Sequence, residues 1–235
     1  MTDGPAPRGS FRFTRPLRPL TADEQRIVDQ FHELYYRLWG FSQGRGTIDL
    51  HWMGFQTLKC PMDLWTYQEI LVETAPDVIV ECGTRFGGSA AYLASLSDAL
   101  GRGRVISIDI EDVPGRPVHP RITYLRGSST SPEIVAQVRR LIEPGQRVMV
   151  ILDSDHSAEH VERELEAYHA LVTPGCYLIV EDTNVNGHPV FADHGPGPME
   201  AVEVFLLRHP GFAVDRARER FLMTLNPSGF LLRTG

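Results

Sequence analysis

The chain has 235 residues, 42% of them hydrophobic and 23% charged, with 23 basic against 30 acidic residues and a formal charge of −7. That make-up suits one large soluble domain and excludes fibrous or wholly disordered classes, while the acidic balance leaves no sequence-wide basic field to hold a nucleic acid. Cys60, Cys82 and Cys176 are odd in number and widely spaced, so they read as buried thiols of a reducing cytoplasm and not as a zinc or redox motif. No apolar stretch approaches the ~20 residues of a spanning helix. The opening MTDGPAPRGS lacks the apolar centre of a signal peptide, and the expectation is a cytoplasmic protein without a membrane partner.

In chain order, residues 1–20 carry four arginines and four prolines, the make-up of an arm lying over something else, with Phe11 and Phe13 available to dock on a partner subunit. Thr21 with Glu24 makes a capping box, and Ile27, Phe31, Leu34, Tyr35 and Leu38 recur at helical spacing up to Gly40. This predicts a helix from Ala22 to Trp39. A second helix is predicted from a cap at Asp63 to Pro76, so residues 21–76 form a helical segment ahead of a core at 77–235. In that core, Val78–Cys82, Arg104–Ile110, Arg121–Leu125, Val148–Asp153 and Cys176–Asp182 read as strands. Helices lie between them: Ser89 to Leu100 closed by Gly101, one capped by Ser131 with Pro132 first, and one capped by Ser157. Continuous apolar strands spaced by helices mean an α/β fold with a mostly parallel sheet covered on both faces. The run from Thr183 to Pro198, rich in Gly, Pro, Asn and His, is too irregular for an element and reads as a lid or binding loop. Pro198 then opens a helix, and FAVDRA, RFLMTL and GFLLR alternate as strands. A carboxyl-terminal antiparallel hairpin added to five parallel strands gives a Rossmann-like sheet of seven.

Ligands of such sheets bind beyond the carboxyl ends of the strands. The first strand runs into ECGTRFGGSAAYLAS, where Gly83, Gly87 and Gly88 allow a tight turn around Thr84 before a helix begins at Ser89. Arg85 stands where a dinucleotide fingerprint needs glycine. Glu81 disfavours a phosphate and favours an ammonium or sulfonium. Asp109, at the end of the second strand, is placed for two ribose hydroxyls, a role shared by nicotinamide and S-adenosylmethionine sites. The cationic methyl donor suits this acidic turn better, and an NAD-dependent oxidoreductase is the alternative outside transferases.

Asp153 closes the fourth strand, and Glu181 and Asp182 close the fifth. Three carboxylates at one sheet edge, with no Lys or Arg in those segments, call for a cation among them. Oxygen-only ligands point to Mg²⁺. His156, in the turn after Asp153, becomes a proton acceptor if it lies beside that metal, since its ordinary pKa of ~6.5 is near working pH.

The segments MGFQTLKCPMDLWTYQEIL, VIVECGTRFGGSAAYLASL, ILDSDHSAEHVERELEAYHALVTPGCYLIVEDTNV, GPGPMEAVEVFL and RFLMTLNPSGFLLR resemble the cephalosporin hydroxylase and rhamnosyl O-methyltransferase family, which is similar to the macrolide sugar O-methyltransferases. The resemblance runs from about Trp52 to Arg233. It implies a class I, S-adenosylmethionine-dependent methyltransferase with a divalent metal and a small-molecule acceptor, and it implies the general-base role for His156. It places Gln68 and Glu69 of WTYQE near the cofactor. Ser128 and Ser129 fall where this fold holds adenine, although the family pattern often has Asp in that turn, and Asp153 borders the donor as well as the metal. His188 and His194 become candidates for acceptor contact. The implied acceptor is a rhamnose-like hydroxyl on a glycosylated natural product, with a hydroxylated cephem or polyketide as the alternative. Relatives of this kind are multimeric, so a homo-oligomer is expected.

Overall fold

The computed structural model describes Arg15, residues 17–38 and residues 49–235. The expectations for Phe11, Phe13, Trp39, Gly40 and most of the arm lie outside those residues. Helix α1 (Ala22–Leu38) begins at the expected box: Thr21 N–H donates to Glu24 Oε2 at 2.9 Å, and Glu24 N–H to Thr21 Oγ1 at 3.3 Å. Its row Ile27, Phe31, Leu34 and Leu38 is exposed, while His32 faces inward and is buried. A two-strand hairpin, β1 (His51–Trp52) and β2 (Phe55–Gln56), then leads into α2 (Pro61–Thr74). Asp63 is not the cap expected of it. Pro61 takes the first turn, because its missing N–H costs nothing there, and Asp63 is buried inside the helix, accepting from the Leu225 N–H at 2.9 Å.

The core follows as β3 (Val78–Cys82), α3 (Gly88–Leu100), β4 (Arg104–Asp109), β5 (Ile122–Arg126), α4 (Pro132–Leu141), β6 (Val148–Leu152), α5 (Ala158–Tyr168), β7 (Tyr177–Val180), α6 (Pro198–Arg208), β8 (Phe212–Val214) and β9 (Phe230–Arg233). The sheet order is β5-β4-β3-β6-β7-β9-β8, with β3 to β7 parallel, β9 antiparallel to β7, and β8 antiparallel to β9. Val78, Val80 and Cys82 face one hydrophobic cluster with Val161, Leu165 and Phe205, and Ile79 faces another with Tyr67, Ile70 and Leu93. Each such buried side chain is worth about 1.5–3 kcal/mol of transfer free energy. Period-two alternation puts Glu81 on the same face as Ile79, toward α2.

Two further sequence expectations change. Phe221 to Leu225, inside the predicted RFLMTL strand, forms no strand; it runs irregularly across α2, with Arg220 Nη2 on both oxygens of Glu69 at 2.6 Å. Ser157 sits at the start of α5, but its side chain turns to Asp155 and not to the helix N–H groups. The strand order reverses between β3 and β6, so their carboxyl ends open the crevice where an α/β sheet takes its ligand.

Candidate active site

At that crevice β3 ends in a turn that only glycine can build. Gly83 has φ +95°, and a Cβ on it would lie 1.8 Å from the Asp153 carbonyl oxygen. Gly88 is blocked differently, since its Cβ would meet the Gln56 carbonyl of the β1–β2 hairpin at 2.2 Å. The close approach of backbones seals the bottom of a cavity of about 650 Å³, within the usual range for small-molecule sites.

Gly83, Thr84, Ser89, Asp109, Ser128 and Ser129 all line this cavity, as do Asp153, His156 and Asp182. Asp109 is braced by N–H donors from Arg85 at 2.7 Å and Glu111 at 2.8 Å, one on each oxygen, and Arg116 approaches it at 3.2 Å. Arg85 and Arg116 both converge on Oδ2, so Oδ1, with the Glu111 N–H alone, is the oxygen with acceptor capacity left. Ser129 Oγ lies 3.3 Å from His160 Nε2, and Ser128 Oγ bonds Thr130 Oγ1 at 3.1 Å.

Glu81, Gly87, Gln68 and Glu181 are not on the wall. Glu81 is fully buried under the turn, where Ser107 Oγ donates to it at 2.6 Å and itself meets Thr84 Oγ1 at 2.6 Å. Burial pushes its carboxyl up against the pull of Lys59. Gly87, with φ +80°, is the residue from which α3 starts. Gln68 is half-buried outside the cavity, and its neighbour Glu69 is taken by Arg220 and by Trp65 Nε1 at 3.1 Å. The α2 residue that reaches the site is Tyr67, whose hydroxyl donates to Glu181 Oε1 at 2.8 Å.

The carboxylates converge as expected, but the cation among them is a side chain. Lys59 Nζ donates to Asp153 Oδ2 and, at 2.6 Å, to Glu181 Oε1. Burial opposes the ammonium, yet Asp153, Glu181 and Glu81 together raise its pKa. Asp153 is pushed up by burial and pulled below its ordinary range by Lys59 and His156, whereas burial and Asp153 hold Glu181 up. The group whose ligand atoms lie close enough to share an ion is therefore Asp153, His156 and Asp182, with Glu181 behind Lys59. His156 Nε2 stands 3.4 Å from Asp153 Oδ1 and 3.2 Å from Asp182 Oδ2. Burial works against its charged form, but Asp182 and Asp153 outweigh that and bring it to about 9. Asp182 has φ +52° and donates its N–H to Asn226 Oδ1 at 3.1 Å; Asn226 in turn donates to the Tyr67 hydroxyl at 3.1 Å. Backbone strain of this kind gathers at functional sites.

The loop histidines have protein partners. His188 Nε2 lies 2.9 Å from Glu200, and His194 Nε2 lies 3.0 Å from the His156 carbonyl oxygen, so His194 steadies the turn carrying His156. Lys59, Tyr67 and Asn226 escaped the reading of the sequence. One signal pointed to Lys59: the chain holds 22 arginines and a single lysine.

Comparison with known proteins gives the family. A rhamnosyl O-methyltransferase of Mycobacterium leprae (strain TN) is 40% identical over 216 residues, 88% of this chain and 90% of that protein. The rhamnosyl O-methyltransferase of Mycobacterium tuberculosis (strain ATCC 25618 / H37Rv) is 38% identical over 217 residues, 88% and 85% of the two chains. A solved CmcI structure with Mg and SAM superposes with a TM-score of 0.59 at 25% identity, covering 79% of this chain and 77% of that one. An O-methyltransferase from Bacillus cereus in complex with SAH shares the fold, with a TM-score of 0.52 at 16% identity over 84% of each chain. Residues 45–234 match the family described as Rhamnosyl O-methyltransferase/CmcI, and the chain, with its class I methyltransferase sheet, belongs to that family of O-methyltransferases.

Proposed function

We propose that the chain transfers a methyl group from S-adenosylmethionine to a rhamnose-like sugar hydroxyl of a glycosylated natural product, with Mg²⁺ as its metal. The observation that carries this reading is the Asp153, His156 and Asp182 group, which opens onto the same cavity as the glycine turn and Asp109. The donor set fits the metal: the oxygens of Asp153 and Asp182 suit a hard cation that keeps places for water and substrate, and His156 stands beside them as the base. The donor molecule fits as well. Asp109 offers a carboxylate for a ribose diol, and Ser128 and Ser129 line the wall proposed for adenine.

When bound, Mg²⁺ would acidify an acceptor hydroxyl and offset the carboxylate charge around it. The protein's own share is placement and proton transfer. Asp153 and Asp182 flank His156 and keep its ring charged when no cation is present; a cation held by those two carboxylates would offset their charge, and the neutral ring would then take the proton of an acceptor hydroxyl placed in line with the donor's methyl group, whose sulfur would leave as the thioether. The sugar acceptor is supported by the rhamnosyl relatives and their coverage of most of both chains. Exposed Ile27, Phe31, Leu34 and Leu38 along α1 support the proposed self-association. Incubation with labelled donor tests the reading directly, using rhamnosylated and non-sugar hydroxyl acceptors with and without EDTA. Methylation of the rhamnoside that ceases on chelation is expected; transfer undiminished by chelation removes the metal, and transfer only to a non-sugar hydroxyl removes the sugar.

A further inference from the structure

We propose that Lys59, anchored on Glu181, sets the metal selectivity of the site by committing one oxygen of Asp153. The proposal rests on the divalent-metal reading above. Lys59 lies in the turn between β2 and α2, is only 3% exposed, and is the one lysine of the chain. Its ammonium takes Asp153 Oδ2 and Glu181 Oε1, and Tyr67 takes Glu181 Oε1 a second time. Asp153 therefore turns Oδ1 toward His156 at 3.4 Å, while Glu181 stays behind the ammonium as its anchor.

A carboxylate with one oxygen tied to an ammonium can give a metal only the other. Mg²⁺ is small, near-octahedral and content with single oxygens and water, whereas Ca²⁺ takes more ligands and gains from carboxylates that chelate with both oxygens. Lys59 thus denies Ca²⁺ the denser coordination while costing Mg²⁺ little. Lysine suits this task better than arginine. Its compact ammonium can be shared between two carboxylates, while a planar guanidinium would fork onto both oxygens of one. A counter-ion that merely neutralised charge would act on both metals alike, so the ratio of affinities separates the two roles.

The test is calorimetric titration of Mg²⁺ and of Ca²⁺ into the full chain and into Lys59→Met. The expected result is a shift of the relative affinity toward Ca²⁺ by about tenfold or more, the usual scale for losing an outer-shell partner. Equal changes in both affinities, or none, overturn the proposal. Should Lys59→Met not fold, infrared spectra of the wild type carry the test: carboxylate stretches in the Ca²⁺-loaded protein are expected at single-oxygen positions, and a chelating signature refutes the idea. A wild type that binds neither ion removes the metal reading itself, whereas binding with an unmoved ratio removes only the role of Lys59.

Discussion

Replacing Gly83 with alanine separates two costs that the fold imposes at the end of β3. The new Cβ would lie 1.8 Å from the Asp153 carbonyl oxygen and 2.5 Å from its carbonyl carbon. Non-bonded heavy atoms meet at ~3.5 Å, so one backbone must retreat by more than ~1 Å. Overpacking of that kind costs about 1–3 kcal/mol, and an alanine in the left-handed region adds ~1–2 kcal/mol. Gly101 is the control, because it has φ +69° and no neighbouring atom within 4 Å of the added Cβ. Gly101→Ala should therefore lose ~1–2 kcal/mol and Gly83→Ala about 2–5 kcal/mol, read from urea midpoints at constant slope. The retreat also moves Asp153, whose oxygens hold Lys59 and face His156. A misplacement of ~1 Å can cost about 10²-fold in turnover, so Gly83→Ala should be nearly inactive while Gly101→Ala keeps its rate. Equal midpoints for the two variants, or a Gly83→Ala enzyme of ordinary rate, would refute the close approach on which the site is built.

Other expectations follow from the same geometry. His156→Ala should bind donor normally yet lose roughly 10²–10⁴-fold in turnover without rescue by added Mg²⁺; near-normal turnover would send the search for the base elsewhere. In the metal-free protein the ring of His156 should titrate near about 9 by NMR, because Asp182 and Asp153 favour its charged form; a midpoint at the ordinary value would mean that those carboxylates stand away. Asp182→Ala should weaken metal binding and recover activity in part with excess Mg²⁺, whereas full activity at ordinary metal levels would take Asp182 out of the ligand set. His32 is buried and held down to about 4 by burial, and Asn184 Nδ2 donates to its Nε2 at 3.0 Å. Its contribution to stability is complete above the unfolded-state value near 6.5 and is lost as pH falls toward about 4, at up to ~1.4 kcal/mol per pH unit. Urea midpoints of the wild type and His32→Gln should converge at low pH, and parallel pH curves would contradict the assignment.

The sheet was legible because its strands are runs such as VIVEC and VMVIL, apolar on both faces, and because Ser131-Pro132 and Gly101 mark helix ends by local chemistry. The convergence of Asp153 and Asp182 followed from topology, since parallel strands deliver their last residues to one edge. What stayed hidden depends on partners far along the chain. Lys59 meets carboxylates 94 and 122 residues away, and Asp63 is satisfied by Thr224 and Leu225 and not by its own helix. Alternation made RFLMTL resemble a strand, yet Arg220 is drawn to Glu69 and the segment lies across α2. Glu81 was assigned to the cavity by its place in the turn, but strand alternation turns it inward beneath Ser107 and Thr84.

The burial of the single lysine has a practical consequence. Acylating reagents aimed at ε-amines find one target in this chain, and in the folded state it is shielded and held as an ammonium by two carboxylates. Modification of Lys59 should then proceed only as fast as the segment between β2 and α2 opens, which makes peptide-resolved labelling a clock for local unfolding at this one position. Donor or metal that tightens the crevice should slow that clock, and urea should release it. Labelling as rapid in the native protein as in urea would show that the amine is not enclosed. Surface coupling through lysine would fail for the same reason, so attachment is better directed to an introduced cysteine on exposed α1.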